Sequence, residues 1–152
     1  MAAITAVASA CTSGVQPRYA VQGLVSVYSE YTITATMSTG DIVEICKLPD
    51  GARVQNIQIG IPNTFHVNAK LNVGTVADHD KFIVSATCNS SSIRDMTNFG
   101  DGSALGIPID VTDSATTKYT LIRMKVSDAD STTGTTAGVL RFLVTYYNEA
   151  PY

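Results

Sequence analysis

The stretch "TGDIVEICKLPDGARVQNIQIGIP", residues 39–62, contains two β-strand patterns separated by a turn. Pro49 fixes its own φ angle and the pair Asp50-Gly51 suits a tight reversal, so the chain is predicted to turn back here. Apolar and polar residues alternate on both sides of the turn with the period of two that strands require. The stretch therefore predicts a β-hairpin. Three isoleucines are predicted to share one face of its second strand: Ile57, Ile59 and Ile61.

The same period of two recurs along the chain, and no window of 11 residues shows the apolar stripe of an amphipathic helix. Together with the hairpin, the pattern gives about eight strands. We therefore predict an all-β fold, an antiparallel β-sandwich of the jelly-roll type with an extended N-terminal arm. The further strand candidates are 19–28, 31–38, 69–74, 79–86, 118–127 and 138–147, and the last is predicted to be central or covered on both sides because both of its faces are partly apolar.

The 152 residues fit one domain, which we place at 18–152 after an N-terminal arm at 1–17. The opening "MAAITAVASACTSG" resembles a signal peptide only in its small residues, because no lysine or arginine precedes Arg18. Residues 88–118 are rich in Ser, Asn, Asp and Gly and are predicted to form a long exposed loop. At most a turn or two of helix is expected there, around Ser91–Asn98.

The composition indicates an assembled protein without an electrostatic partner. Hydrophobic residues make up 45% of the chain and charged residues 15%, and the mean hydropathy of +0.14 is apolar for a monomer. Ten basic and 13 acidic residues give a net charge of −3, which predicts neither a nucleic acid nor a membrane as partner. Cys11, Cys46 and Cys88 lie far apart and are predicted to be free thiols, as suits a reducing cytosol.

Two motifs could suggest enzyme chemistry, and neither has the context that it needs. Asp128–Thr132, "DADST", matches the D-x-D-x-T of aspartyl-phosphate phosphatases, but no lysine and only Glu149 among the carboxylates follow it. Asp78–Asp80, "DHD", would alternate sides in a strand, so it is predicted to be a polar turn rather than a metal site. His66 and His79 are the only histidines. We therefore predict a protein that is not an enzyme, with no catalytic, cofactor-binding or metal-binding residue and no cofactor.

Aromatic residues are scarce, and the chain has no tryptophan, so a sugar-stacking platform is poorly provided for. Six of the seven tyrosines are predicted to serve in sandwich packing and as interface anchors. They are Tyr19, Tyr28, Tyr31, Tyr146, Tyr147 and Tyr152.

Residues 40–86 resemble a pattern of tailed-bacteriophage structural proteins, G-D-x-[VI]-x-[LI]-x-x-L-P-x-G-A-x-[VI], then L-x-[VL]-G, then an acidic turn with D-x-F. The closing segment "GVLRFLVTYYNEA" resembles the last strand of such proteins more loosely. The matching residues are Gly40, Asp41, Val43, Leu48, Pro49, Gly51, Ala52, Val54, Leu71, Val73, Gly74, Asp80 and Phe82.

This resemblance implies a virion protein of a phage head, a decoration or cement protein on the outer capsid surface that is made in the host cytoplasm. The implied partners are the major capsid protein and further copies of this chain in a homotrimer. The contact elements are predicted to be the arm, Met1–Gln16, and the loop at 88–118. The alternative is a tail, neck or fibre component with a receptor- or carbohydrate-binding role, and a carbohydrate-binding module is a third reading.

Overall fold

Alternation of apolar and polar residues produces nine β-strands in the computed structural model, which describes residues 5–8, 24–49, 51–62, 69–87, 92–95, 119–128 and 138–148. Within these ranges every regular element is a strand. The strands are β1 (Thr5–Val7), β2 (Val25–Thr32), β3 (Ile42–Pro49), β4 (Ala52–Ile61), β5 (Lys70–Gly74), β6 (Ile83–Thr87), β7 (Ser92–Asp95), β8 (Tyr119–Asp128) and β9 (Val139–Asn148).

The strands form two sheets with the orders β1-β3-β8-β5-β6 and β2-β9-β4-β7. From β2 to β9 the pairing is nested: β2 with β9, β3 with β8, β4 with β7 and β5 with β6, all antiparallel. This nesting, with β9 also beside β4 and β8 beside β5, is the jelly-roll arrangement of eight strands. The predicted fold class is confirmed, and β1 adds a ninth strand parallel to β3.

The core lies between the two sheets and is filled by the inward members of each alternating pattern. Ile57, Ile59 and Ile61 share the buried face of β4, as the sequence predicts. Strand β9 is central in its sheet, between β2 and β4, but only one of its faces is buried. The largest fully buried side chains are Tyr146, Phe82, Phe142, Ile45, Leu48, Ile57, Ile59, Leu71, Ile83 and Ile122.

The predicted hairpin at 39–62 is wrong, because its two strands belong to different sheets. Strand β3 pairs with β8 and β4 pairs with β9, so the turn carries the chain across the core from one layer to the other. Gly51 still takes the positive φ of 77° that the turn requires. Leu48 and Ala52 on either side of the turn are both fully buried, since each points into the core from its own sheet.

Three smaller predictions also need correction. The described parts of the two candidates 19–28 and 31–38 form the single strand β2, which runs in unbroken register along β9 and ends at Thr32, and residues 19–23 lie outside the described residues. Ile33 and Met37 are buried although 33–38 is not a strand. The helix predicted around Ser91–Asn98 is wrong, because Ser92–Asp95 forms β7 and pairs with β4. Residues 96–118 of the predicted loop lie outside the described residues.

The predicted N-terminal arm is represented by residues 5–8, which dock on the edge of β3. The amide of Ala8 donates a hydrogen bond to the carbonyl of Glu44 at 2.8 Å, and the Ala8 side chain is fully buried in the core cluster. The division into an arm at 1–17 and a domain at 18–152 stays a prediction.

A β-bulge at Ile45 joins the two sheets. The register between β3 and β8 shifts between Glu44 and Cys46, and as a result Ile45 and Cys46 are both buried instead of alternating. The fully buried Ser29 of β2, in the other sheet, donates its hydroxyl to the Ile45 carbonyl at 3.1 Å. A backbone group at the bulge is thereby satisfied across the sandwich.

Two turns next to strands of the five-stranded sheet are fixed by close packing and hydrogen bonds. In the turn before β3, Gly40 has a φ of 97°, and the buried Asp41 carboxylate accepts a hydrogen bond from the Ser38 amide at 2.8 Å. In the turn after β5, the Thr75 amide donates to the Asp78 carbonyl at 2.7 Å. A Cβ atom on Gly74 would lie 2.0 Å from that carbonyl oxygen, so only glycine fits at this position.

Gly74→Ala should lower the free energy of unfolding by about 3 kcal/mol or more, since the new methyl group meets backbone atoms rather than a movable side chain. Gly60→Ala is the matched control, because its Cβ would lie 3.3 Å from the Arg141 Cβ, and we expect a change within about 1 kcal/mol. Urea unfolding of both variants measures the difference. Equal losses would contradict the role given to the turn after β5.

Ser29→Ala should lower the free energy of unfolding by about 1–3 kcal/mol, because the Ile45 carbonyl loses the hydrogen bond that it accepts from the Ser29 hydroxyl. Ser26→Ala on the same strand removes an exposed contact with Thr145 and should cost about 0.5 kcal/mol or less. Thermal or denaturant unfolding separates the two. If both substitutions are equally mild, the bond across the sandwich does not stabilise the fold.

Candidate interaction surfaces

The two fixed turns border an open cleft of about 460 Å³ on the outer side of the five-stranded sheet. Asn72, Lys125 and Ser127 on β5 and β8 contribute to its lining, together with the predicted polar turn Asp78–Asp80. The Ser127 hydroxyl donates to the Lys70 carbonyl at 3.1 Å. The cleft is thus polar, with one ammonium group and two carboxylates among its lining residues.

The turn predicted at Asp78–Asp80 is confirmed. The buried Nδ1 atom of His79 makes no hydrogen bond within the described part of the chain. No group of three or more His, Cys, Asp or Glu side chains in the described ranges is placed to hold a metal ion. Of "DADST", Asp128 ends β8 and the rest lies outside the described residues, as does His66.

The outer face of the four-stranded sheet carries a polar cluster on β2 and β9. The Tyr28 hydroxyl donates a hydrogen bond to the Glu30 carboxylate. The same carboxylate also accepts a hydrogen bond from the Arg141 Nε at 3.3 Å. The bond to Glu30 raises the pKa of Tyr28 above its ordinary value, because a carboxylate acceptor favours the neutral phenol. The two opposite charges of this cluster are paired within the chain.

The outer face of the five-stranded sheet carries its own paired charges. Arg123 lies directly opposite Glu44 in the register of β8 and β3, and their side chains form an ion pair at 3.9 Å. Lys47 places its ammonium group 5.4 Å from the centre of the Tyr119 ring. Neither pair is fully buried, so each contributes little to stability.

Five large hydrophobic side chains are exposed among the described residues. Three of them lie on or beside β1 and β2, with exposed fractions of 46% for Val7, 69% for Leu24 and 54% for Tyr28. Val76 and Val84, at 37% and 39%, lie in the turn after β5 and on β6. The sequence predicts a packing or interface role for Tyr28 but gives no signal for Val7 or Leu24, because their exposure depends on which strands form edges.

The remaining described tyrosines divide between packing and the surface. Tyr146 is fully buried and Tyr31 packs against the core, whereas Tyr147 is half-buried on β9. Cys46 is a free, buried thiol, as predicted, and Cys11 and Cys88 lie outside the described residues. Among the residues that the structure describes, none forms a helix with the length and apolarity needed to cross a membrane.

The residues that carry the phage-protein resemblance are mostly determinants of the fold. Gly40 and Gly51 occupy turns, Asp41 caps the first of them, and Gly74 ends β5 against the turn that follows. Phe82 is fully buried, and its amide donates to the Val73 carbonyl at 2.9 Å. Most of the others are fully buried in the core: Val43, Leu48, Ala52, Val54, Leu71 and Val73.

No protein-family model and no curated protein matches this chain. Two solved structures share its fold. A chain in the capsid of Ralstonia phage GP4 is 15% identical with a TM-score of 0.73, covering 99% of this chain and 100% of that chain. A chain in the capsid asymmetric unit of cyanophage Pam1 is 24% identical with a TM-score of 0.63, covering 84% of this chain and 86% of that chain. At these identities the likeness establishes the fold.

Glu30→Gln should lower the pKa of Tyr28, because it removes the carboxylate that favours the neutral phenol. Arg141→Gln should shift the same pKa upward, since the guanidinium favours the phenolate. Titration of the tyrosine signals by NMR through the alkaline range measures both shifts. Shifts of the same sign in the two variants would show that the cluster is not formed in solution.

Proposed function

We propose that this chain is a non-enzymatic structural protein of a tailed-phage virion, which decorates and cements the outer surface of the capsid shell. The observation that carries the proposal is the likeness over almost the whole of both chains to a chain in the capsid of Ralstonia phage GP4. The resemblance over residues 40–86 comes from different information, the sequence itself, and supports the same role.

The sandwich has the physical properties that a cement protein needs. Its apolar core is shared by two sheets, and the turns at Gly40 and Gly74 are held by hydrogen bonds and close packing, so the body is rigid. A rigid body can bridge neighbouring shell subunits without the entropy cost of ordering on binding. The partners in this proposal are the major capsid protein and two further copies of this chain, in a homotrimer made in the host cytoplasm.

Attachment to the shell is proposed to depend on shape and apolar contact rather than on long-range charge. The net charge is −3, and Glu30 and Glu44 are each paired with an arginine of their own chain. A standard interface of about 1,600 Å² can be held by apolar burial and hydrogen bonds without such steering. The binding of the protein to shells should therefore change little with salt.

The proposed contact elements are the N-terminal arm, Met1–Gln16, and the loop at 88–118. Residues 5–8 of the arm are held by β3, which anchors the arm to its own sandwich. An extended chain spans up to about 3.3 Å per residue, so residues on either side of this anchor can reach a neighbouring subunit.

In purified virions this protein should be present in hundreds of copies, because a decoration protein occupies sites over the whole shell, and quantitative protein staining measures the number. A count in the tens or fewer would instead support a tail, neck or fibre component. Binding to host cells or glycans, without binding to empty capsids, would support the receptor-binding alternative.

The mode of attachment is tested on empty capsids with the full chain and with a variant lacking Met1–Gln16. The truncated protein should bind fewer shells, while its unfolding transition shows that the sandwich remains, and the full chain should stay bound as salt is raised. Unchanged affinity of the truncated protein, or release of the full chain by moderate salt, would contradict this mode of attachment. The decoration role itself would then still be tested by the copy number in virions.

A further inference from the structure

Strand β6 ends the five-stranded sheet within the described part of the chain, so one side of its backbone has no neighbouring strand there. A strand in this position can pair with a strand of another molecule, and natural edge strands carry features that prevent such pairing. Strands β1 and β7, which also end their sheets, have only three and four residues. Strand β6 has five residues and is less protected by its length.

The sequence of β6 does not protect it either. Phe82–Thr87 reads FIVSAT, six residues without a charge, a proline or a glycine, and Ile83, Val84 and Thr87 are β-branched. Segments of six or seven residues with this composition pair readily with copies of themselves. Lysine and proline, which protect other edge strands, are absent from β6. A regular strand of this sequence at the end of a sheet would therefore be a site of association.

The backbone of β6 is interrupted by a β-bulge. The register of β5 and β6 shifts between Leu71 and Val73, so the single residue Asn72 lies opposite two residues of β6, Val84 and Ser85. Both of these residues are exposed, whereas side chains of a regular strand alternate between the two faces of the sheet. One residue of β6 is thus extra to the pairing with β5.

Ser85 gives the bulge a backbone conformation that does not fit a regular ladder. Its φ is 50°, in the left-handed region, and it is the one residue other than glycine with a positive φ in the described ranges. Its amide donates a hydrogen bond to Oδ1 of Asn72 at 2.8 Å, so this donor is satisfied within the chain. The extended backbone of β6 is thereby divided into two pieces of two residues each, on either side of Ser85.

We propose that the bulge at Val84 and Ser85, held by Asn72, prevents β6 from pairing edge to edge with the β6 strand of another copy. Another copy is the partner to be excluded, because every copy presents the same uncharged strand and two identical edges can pair about a twofold axis. The inference goes beyond the proposed function and does not depend on it, since it concerns the purified chain alone.

Deletion of Ser85 tests the inference, because it removes the one extra residue and leaves the other pairs in place. Val84 then lies opposite Asn72, and β6 becomes a regular strand with an open edge. In sedimentation of the full chain, the weight-average mass of this variant should rise to at least about twice that of the wild type as the concentration is raised. Ser85→Gly is the matched control, because glycine accepts the positive φ and keeps the bulge, and it should sediment like the wild type.

Two further variants separate pairing through the backbone from other causes of association. Deletion of Val84 regularises β6 in the same way but removes the apolar side chain, and it should associate like the deletion of Ser85. Val84→Lys, added to the deletion of Ser85, places a lysine on the open edge and should restore the wild-type mass.

Hydrogen exchange locates the contact, because association through β6 should slow the exchange of its amides as the concentration of the deletion variant is raised. Circular dichroism monitors the fold of every variant. A folded deletion variant that sediments like the wild type, or association that Val84→Lys does not reverse, would overturn the inference. Association without protection of the β6 amides would also overturn it. If both deletion variants are unfolded, the bulge is required for folding itself and the inference fails.

Discussion

The extra residue at Ile45 is the constraint on which the arrangement of the two sheets depends. At this bulge the carbonyl of Ile45 accepts a hydrogen bond across the sandwich from the hydroxyl of Ser29, and Ile45 and Cys46 both enter the core. The bond holds β2 beside β3, so the four-stranded sheet is aligned over the five-stranded sheet at this edge. Strand β1 docks on the other side of β3 and extends the five-stranded sheet at this edge.

The sequence predicts the fold class well because the period of two along each strand reports which side chains enter the core. It predicts the partners of the strands less well, since turn chemistry is local. Pro49 and Gly51 favour a reversal equally in a hairpin and in a connection between sheets, and only the distant strands β8 and β9 decide between them. Strand β7 was missed for a related reason: Ser92–Asp95 has little apolar pattern and is a strand because β4 offers it an edge.

The candidate interaction surface was harder to predict than the core. Nothing in the sequence around Val7 or Leu24 distinguishes them from core residues, and their exposure depends on the position of β1 and β2 at the ends of two sheets. The motif residues were easier to find because most of them have a local role, in turns at Gly40 and Gly74 or in the core at Leu48 and Phe82. Such residues specify the sandwich and leave the outer faces free to vary, which agrees with a shared fold at 15% and 24% identity.

The nested pairing has a consequence for the order in which the chain can fold. Val25 lies opposite Tyr146 in the register of β2 and β9, which joins parts of the chain that are far apart in sequence. The four-stranded sheet therefore cannot form until β9 has left the ribosome, and β2 waits without its partner through most of translation. Pairings of such high contact order fold slowly, so in the nascent chain β2 stays without its partner strand until β9 has been synthesised.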